Sequence, residues 1–184
     1  MIAIRPLTSF DADRFQAIAS GYRTKEVFRV AHSEDGERVS FDLTLETLPE
    51  SAVFQYSYDS EDLARYATLV PDTYCLGAYD DALLVGIALA EPQAWNQTLW
   101  VWEFHVAETY RGHSIGRRLM QRLADLAAPA GLRALICETQ NTNVPAVRFY
   151  RAVGFQMEGV DISYYSNEDM MPGRTVAVFM KRRL

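Results

Sequence analysis

The stretch from Leu99 to Thr139 limits the fold of this chain more than any other. Leu99–Val106 reads as a strand. Gly116–Ala128 places Leu119, Met120, Leu123, Leu126 and Ala127 on one helical face, and Leu132–Thr139 carries the apolar run Ala134-Leu135-Ile136-Cys137 of a buried strand. Pro129 and Gly131 stop the helix. Strand, helix and strand make one βαβ unit, the connection that parallel strands need. The strands upstream ask for the opposite arrangement. Thr73–Tyr79 and Leu83–Glu91 are joined by the turn pair Asp80-Asp81, and a loop with Pro92, Asn96 and Gln97 leads on to Leu99. Both connections are short enough for antiparallel neighbours. The expected class is mixed α/β, a mostly antiparallel twisted sheet flanked by helices, not a doubly wound parallel sheet.

The remaining elements fit around this centre. Ile2–Leu7 reads as a strand, with Thr8 or Ser9 capping a helix through Ala12, Phe15 and Ile18. Val27–Ala31 and Val39–Leu45 flank the turn-rich Ser33-Glu34-Asp35-Gly36 and predict a β-hairpin. Tyr56–Leu69 becomes helical toward its end, with Leu63, Tyr66 and Ala67 on one face. Val144–Arg151 is a short helix with Pro145 in its first turn and Gly154 as its closing cap. Asp161–Tyr165 and Thr175–Met180 predict two final strands around a Ser166–Gly173 loop. No repeat or linker interrupts residues 1–184, which points to a single domain.

Composition removes several classes of function. The net charge of −6 is opposite in sign to that of a nucleic-acid binder and suits a cationic substrate. The two cysteines, Cys75 and Cys137, form neither a disulfide framework nor a metal-ligand spacing, so no metal is expected. The N-terminus lacks a basic segment followed by an apolar run, and the longest apolar run, Ala82–Ala90, is too short to span a bilayer. The expectation is a cytoplasmic protein without membrane or nucleic-acid partners, monomeric or homodimeric.

Two segments carry chemistry. The first is Tyr110-Arg111-Gly112-His113-Ser114-Ile115-Gly116-Arg117, between a strand and a helix. A helix N-terminus offers unpaired N–H groups and partial positive charge, which suits a phosphate. Gly112 and Gly116 let the backbone approach an anion, and Arg111 and Arg117 add charge; an ordinary strand-to-helix turn with surface arginines fits the same residues. The segment matches neither GxxxxGK[ST] nor GxGxxG. The second is Trp100-Val101-Trp102-Glu103-Phe104-His105-Val106. By alternation Trp102, Phe104 and Val106 share one face while Glu103 and His105 share the other. Glu103 is a candidate general base or a solvated strand residue. His105, of an amino-acid type that titrates near ~6.5, is the alternative base or a structural histidine.

The turn resembles the Q/R-x-x-G-x-G/A pyrophosphate loop of the GNAT superfamily of N-acetyltransferases, with Arg111 first, Gly116 last and Ser114 in place of the middle glycine. Downstream, Asn143, Ala146, Phe149, Tyr150, Gly154 and Phe155 resemble the family's N-x-x-A-x-x-F-Y-x-x-x-G-F segment at every marked position. The resemblance implies a GNAT-type fold, acetyl-CoA as acetyl donor and a cofactor-binding core of about residues 73–156. It implies that Tyr150 protonates the departing thiolate, that Glu103 is the base, and that the Val106 N–H polarises the thioester carbonyl. Phe104, His105, Val106, the turn Arg111, Gly112, His113, Ser114, Ile115, Gly116 and Arg117, and then Asn143, Ala146 and Phe149 are implied to contact the cofactor. From the residues alone, Asn143 is equally a helix N-cap and Tyr150 a packing tyrosine.

The Glu138-Thr139-Gln140 core with Asn143, together with Gly159-Val160-Asp161 and Tyr164-Tyr165-Ser166-Asn167, resembles the streptothricin acetyltransferase branch. That branch acetylates an amine of a cationic antibiotic and so confers antibiotic resistance. Glu138 and Asp161 are the preferred substrate carboxylates, with Tyr56, Tyr58, Asp59, Tyr164 and Tyr165 as further candidates for a cation site. A peptide N-terminus, a polyamine or an aminoglycoside stays open as acceptor, and so does an acyl-CoA-binding module without turnover. No Cys or Ser sits beside a base as a nucleophile, so direct attack on the thioester is expected.

Overall fold

The computed structural model describes all 184 residues. In chain order the elements are β1 (Ile2–Pro6), α1 (Ala12–Ile18), β2 (Tyr22–Asp35), β3 (Arg38–Phe54), α2 (Ser60–Leu69), β4 (Leu76–Asp80), β5 (Leu83–Gln93), β6 (Thr98–Val106), α3 (Ile115–Ala127), β7 (Ala134–Gln140), α4 (Val144–Ala152), β8 (Gln156–Asp161) and β9 (Ala177–Arg183). A seven-stranded sheet has the order β1-β4-β5-β6-β7-β9-β8, and β2 and β3 form a separate ribbon. Antiparallel pairing joins β1 to β4, β4 to β5, β5 to β6 and β8 to β9, while β6 and β7 are parallel. This is the mixed, mostly antiparallel arrangement expected from the connection lengths. No helix is long and apolar enough to cross a membrane.

The chain divides into two compact units. The first comprises Met1–Gly21, Gln55–Cys137 and Arg182–Leu184. Its core gathers Leu7, Phe15, Ile18, Tyr66, Cys75, Ile87 and Leu89. The α1 helix starts at Asp11, not at Thr8 or Ser9, because the Asp11 carboxylate reaches the Arg14 N–H at 2.9 Å. Asp59 caps α2 in a reciprocal capping box with Asp62. The α3 helix buries Ile115, Leu119, Met120, Leu123, Ala124 and Ala127, the apolar face read from the sequence. Full burial of each large side chain there stabilises by roughly 1.5–3 kcal/mol.

Strand β6 departs from simple alternation. Leu89 pairs with Glu103 and Ala90 with Val101, so Trp102 is an extra residue, a β-bulge. The bulge overturns the expectation that Trp102 lies opposite Glu103. Trp102 packs on the cluster that contains Tyr66, and the Glu103 carboxylate accepts the Tyr66 hydroxyl.

The second unit comprises Tyr22–Phe54 and Glu138–Lys181. Its ribbon runs from the pair Tyr22–Phe54 to the pair Asp35–Arg38, far longer than the hairpin read from Val27–Ala31 and Val39–Leu45. The ribbon holds through cross-strand contacts: Arg29 with Glu46 at 3.0 Å, Ser33 with Ser40 at 2.8 Å, and stacked Tyr22 and Phe54 rings 4.9 Å apart. The α4 helix packs on β2, where Arg148 pairs with Glu26 at 2.6 Å. The strand expected over Asp161–Tyr165 does not form. Asp161 ends β8 and accepts the Ser163 N–H at 3.0 Å, which turns the chain.

Asn141 links the pieces of this unit. Its side chain donates to Phe28 O and accepts from Val176 N, both at 2.8 Å, while its backbone bonds the same two residues. Asn141 is buried, so Asn141→Ala leaves two main-chain groups without partners. The expected loss is about 2–4 kcal/mol of unfolding free energy in urea titrations; a loss under about 1 kcal/mol would mean that these groups regain partners at no cost.

Candidate active site

The C-terminal half of β6 presents Glu103 and His105 on one side, as alternation predicts, and the two meet. Glu103 is not a solvated strand residue: its side chain and that of His105 are each 11% exposed. Glu103 Oε1 accepts the Tyr66 hydroxyl at 2.5 Å, and Oε2 accepts the Tyr58 hydroxyl at 3.1 Å. His105 Nε2 lies 2.6 Å from Oε2 and 3.2 Å from the Tyr58 oxygen. Burial, and then the Glu103 carboxylate, push both phenols well above their ordinary value. The phenols therefore stay protonated and act as donors to the carboxylate. Phe15 and Tyr56 rings stand edge-on to the imidazole, at 5.8 and 5.3 Å.

Beyond β6 the chain makes a 3-10 turn at Glu108–Tyr110 and reaches α3 through the glycine-containing turn. Arg111 is held by its Nε to Val106 O at 3.0 Å and by its terminal nitrogen to Gly21 O at 3.1 Å. Its guanidinium thus clamps the turn to the end of β6. Gly112 sits at φ +81° and Ser114 at φ +61°. A Cβ at Gly112 would meet only open space, so glycine is needed there for its backbone conformation. Ser114 is the N-cap of α3 but makes no side-chain cap bond. The first N–H groups of α3 lack the side-chain acceptor that most helix starts have, which fits a turn built to receive an anion. His113 is exposed and lies with Nδ1 3.0 Å from Arg111 O; Arg117 is exposed.

In the second unit, Asn143 is the N-cap of α4 and accepts the Ala146 N–H at 3.2 Å. Tyr150 is buried, with Phe149 and Phe155 rings 5.5 and 5.4 Å away. The helix ends in a Schellman motif: Phe155 N–H bonds Tyr150 O, and Gly154, at φ +94°, bonds Arg151 O. The spaced Asn, Ala, Gly and Phe are thus the two ends of a nine-residue helix that fixes Tyr150 in its last turn.

The two substrate candidates are separately engaged. Glu138 accepts the Tyr165 hydroxyl, whose oxygen lies 3.2 Å from Gln140 Nε2. Burial and then the Glu138 charge raise the Tyr165 phenol far above its usual range. Asp161 serves its own turn with Ser163. Of the other cation-site candidates, Tyr58 joins Glu103, Asp59 caps α2, and Tyr164 packs edge-on against Phe179. Sequence reasoning missed Tyr66 and Gln140. Tyr66 lies on the packing face of α2, and nothing local marks its hydroxyl as a ligand of a carboxylate 37 residues away.

Residues 40–155 match the acetyltransferase (GNAT) family. A streptothricin acetyltransferase of Streptomyces lavendulae is 34% identical over 160 residues, which cover 84% of this chain and 82% of that protein. The crystal structure of nourseothricin acetyltransferase superposes with a TM-score of 0.80 at 26% identity, over 99% of this chain and 98% of that one. A Bacillus anthracis protein crystallised with acetyl coenzyme A, provisionally named a streptothricin acetyltransferase, shares the fold over the full length of both chains at 23% identity and a TM-score of 0.78. The chain belongs to the GNAT family of acetyltransferases. It is an N-acetyltransferase that takes its acetyl group from acetyl-CoA.

The buried phenols make stability depend on alkaline pH. Tyr22 is pushed up to about 12 by burial, and Tyr58, Tyr66 and Tyr165 are pushed higher. Above about pH 10 the unfolded chain loses phenolic protons that the folded chain keeps, so folding stability falls as pH rises. Urea midpoints are expected to be level from pH 8 to about 9.5 and to decline beyond it, less steeply in Tyr66→Phe. An equally steep decline in the variant would contradict the assignment.

Proposed function

We propose that this enzyme acetylates a primary amine of a small cationic acceptor of the streptothricin type, by direct attack in a ternary complex. The observation that carries the reading is the Glu103–His105 pair: a carboxylate and an imidazole in contact at 2.6 Å, nearly buried at the end of the strand that leads into the anion-ready turn. The relative from Streptomyces lavendulae, similar over most of both chains, supports the acceptor class.

Bound acetyl-CoA supplies an activated thioester. The turn into α3, with Gly112, His113, Ser114, Ile115, Gly116 and Arg117, would hold the pyrophosphate. Phe104 and Val106 on β6 would hold the acyl arm, and the Val106 N–H would polarise its carbonyl. Asn143, Ala146 and Phe149 fix the helix that carries Tyr150. The Glu103–His105 pair takes the proton that the acceptor's ammonium must lose before its nitrogen can attack. Tyr150 returns a proton to the departing thiolate. Glu138 with Tyr165, and Asp161, offer negative charge to the remaining cationic groups of the acceptor.

The cysteines are poor candidates for an acetyl-enzyme. Cys75 and Cys137 are both buried, and burial raises the Cys75 thiol to about 11. Mass spectrometry after incubation with acetyl-CoA alone should show unmodified protein; an added acetyl group on a side chain would refute direct transfer. Free-thiol release is expected with streptothricin well above that with lysine, spermidine or an aminoglycoside. Release with another of these amines and none with streptothricin would overturn the acceptor. Tyr150→Phe should lower kcat by about 10²-fold while acetyl-CoA affinity changes less than about twofold. Equal loss of both would count against its acid role.

A further inference from the structure

We infer that the proton acceptor is His105 Nδ1, and that Glu103, Tyr58 and Tyr66 are positioning residues that set the imidazole tautomer. This rests on the proposed amine acetylation and divides the roles within the Glu103–His105 pair. The division follows from counting protons. Glu103 Oε1 is taken by the Tyr66 hydroxyl at 2.5 Å and Oε2 by the Tyr58 hydroxyl at 3.1 Å. Each phenol has a single proton, and each spends it on the carboxylate. Oε2 also stands 2.6 Å from His105 Nε2, a separation that requires a hydrogen between two atoms that would otherwise repel. With the phenol protons already assigned, that hydrogen is on Nε2. The 3.2 Å contact between Nε2 and the Tyr58 oxygen fits as well, since the same N–H can be shared with an oxygen whose own proton points elsewhere. A neutral imidazole with hydrogen on Nε2 carries its lone pair on Nδ1.

A carboxylate that already accepts three donors has its oxygens engaged, which leaves little room on it for the acceptor's proton. The same carboxylate, ionised and locked, stabilises the imidazolium that a proton transfer creates, as an orienting acid does in a catalytic triad. The step balances simply. One N–H bond of the acceptor's ammonium breaks, an Nδ1–H bond forms, and imidazole becomes imidazolium. Nε2 keeps its hydrogen, Glu103 stays ionised, and water later removes the extra proton. The groups that face the pair are the phenols of Tyr56, Tyr58 and Tyr66, with Asp62 and Arg65 acting on Tyr66 from α2. Phe15 packs edge-on against the imidazole from α1 and contributes no charge.

Two measurements test the assignment. In ¹⁵N spectra of imidazole-labelled enzyme near pH 8, the signal absent from His105→Gln should be that of an Nε2–H, Nδ1-unprotonated ring; the opposite tautomer overturns the proposal without reference to turnover. In pH profiles of kcat/KM, His105→Gln should lose the acidic limb and about 10²-fold or more in kcat, with KM for acetyl-CoA within about twofold. Glu103→Gln should retain the limb but move it to lower pH, because the imidazolium loses its counter-charge. Tyr66→Phe should move it the other way, because a carboxylate with one donor fewer holds the imidazolium more tightly. A purely structural role for Tyr66 would leave the limb in place. A limb that survives in His105→Gln and vanishes in Glu103→Gln assigns the base to Glu103 and overturns the inference. Wild-type enzyme inert toward every amine would refute the proposed function, and the ring tautomer would still decide the dyad.

Discussion

The parallel pairing of β6 with β7 is the constraint from which the catalytic half of the first unit follows. Thr98–Val101 runs beside Ala134–Cys137 in the same direction, so the chain must cross over between them. The crossover is α3, and its N-terminus follows the C-terminal end of β6 after the 3-10 turn at Glu108–Tyr110 and the glycine-containing turn. The crossover therefore starts a helix N-terminus a short turn beyond Glu103, His105 and Val106. Arg111 makes the placement firm. Its side chain bonds Val106 O at one end and Gly21 O at the other, so its charge is spent on holding the turn as much as on attracting an anion.

The bulge at Trp102 is the second device. An unbroken alternation would put Trp102 and Glu103 on opposite faces of the sheet. With the extra residue both turn toward the cluster built from α1 and α2. A carboxylate placed there is costly unless its lone pairs are filled. Tyr58, Tyr66 and His105 fill them. The aromatic packing of Phe15 with Tyr58 and Tyr66, at 4.8 and 5.6 Å, holds those phenols where the carboxylate needs them. The cluster is thus core and site together: the apolar rings exclude water, and their hydroxyls supply the hydrogen bonds that make the excluded charge tolerable.

How much of this was legible in the sequence depends on the range of the interaction. Short-range features were. The α3 face, the Glu103–His105 alternation and the α4 segment from Asn143 to Phe155 all rest on neighbours within a turn or a strand step. The α4 motif is partly capping chemistry written in sequence, with an N-cap at one end and a glycine in left-handed conformation at the other. Features that depend on a distant partner were not legible. The Trp102 bulge exists only in register with β5. Tyr66 looks like a packing residue until its hydroxyl meets Glu103, and Asn141 looks like a loop residue until Phe28 and Val176 close on it. The ribbon was underestimated because its turn-side pairs, such as Ser33–Ser40 and Asp35–Arg38, are polar, and its far end at Tyr22–Phe54 shows no pattern until the cross-strand partner is known.

Ser114 shows how a departure from a family pattern is accommodated physically. The position requires left-handed backbone, φ +61°, which costs a non-glycine residue about 1 kcal/mol or more. Serine is among the usual N-cap residues, yet here its hydroxyl makes no cap bond. The cost is therefore not recovered within the turn. It is supported by the surroundings, since Arg111 ties the turn to Val106 and Gly21 on one side and Ile115 begins the buried face of α3 on the other. A backbone held in a sparsely populated conformation by its neighbours, with its first helical N–H groups left without a side-chain acceptor, is strained in the direction that serves an incoming anion. The phosphate of a bound cofactor would supply the acceptors that the Ser114 side chain does not.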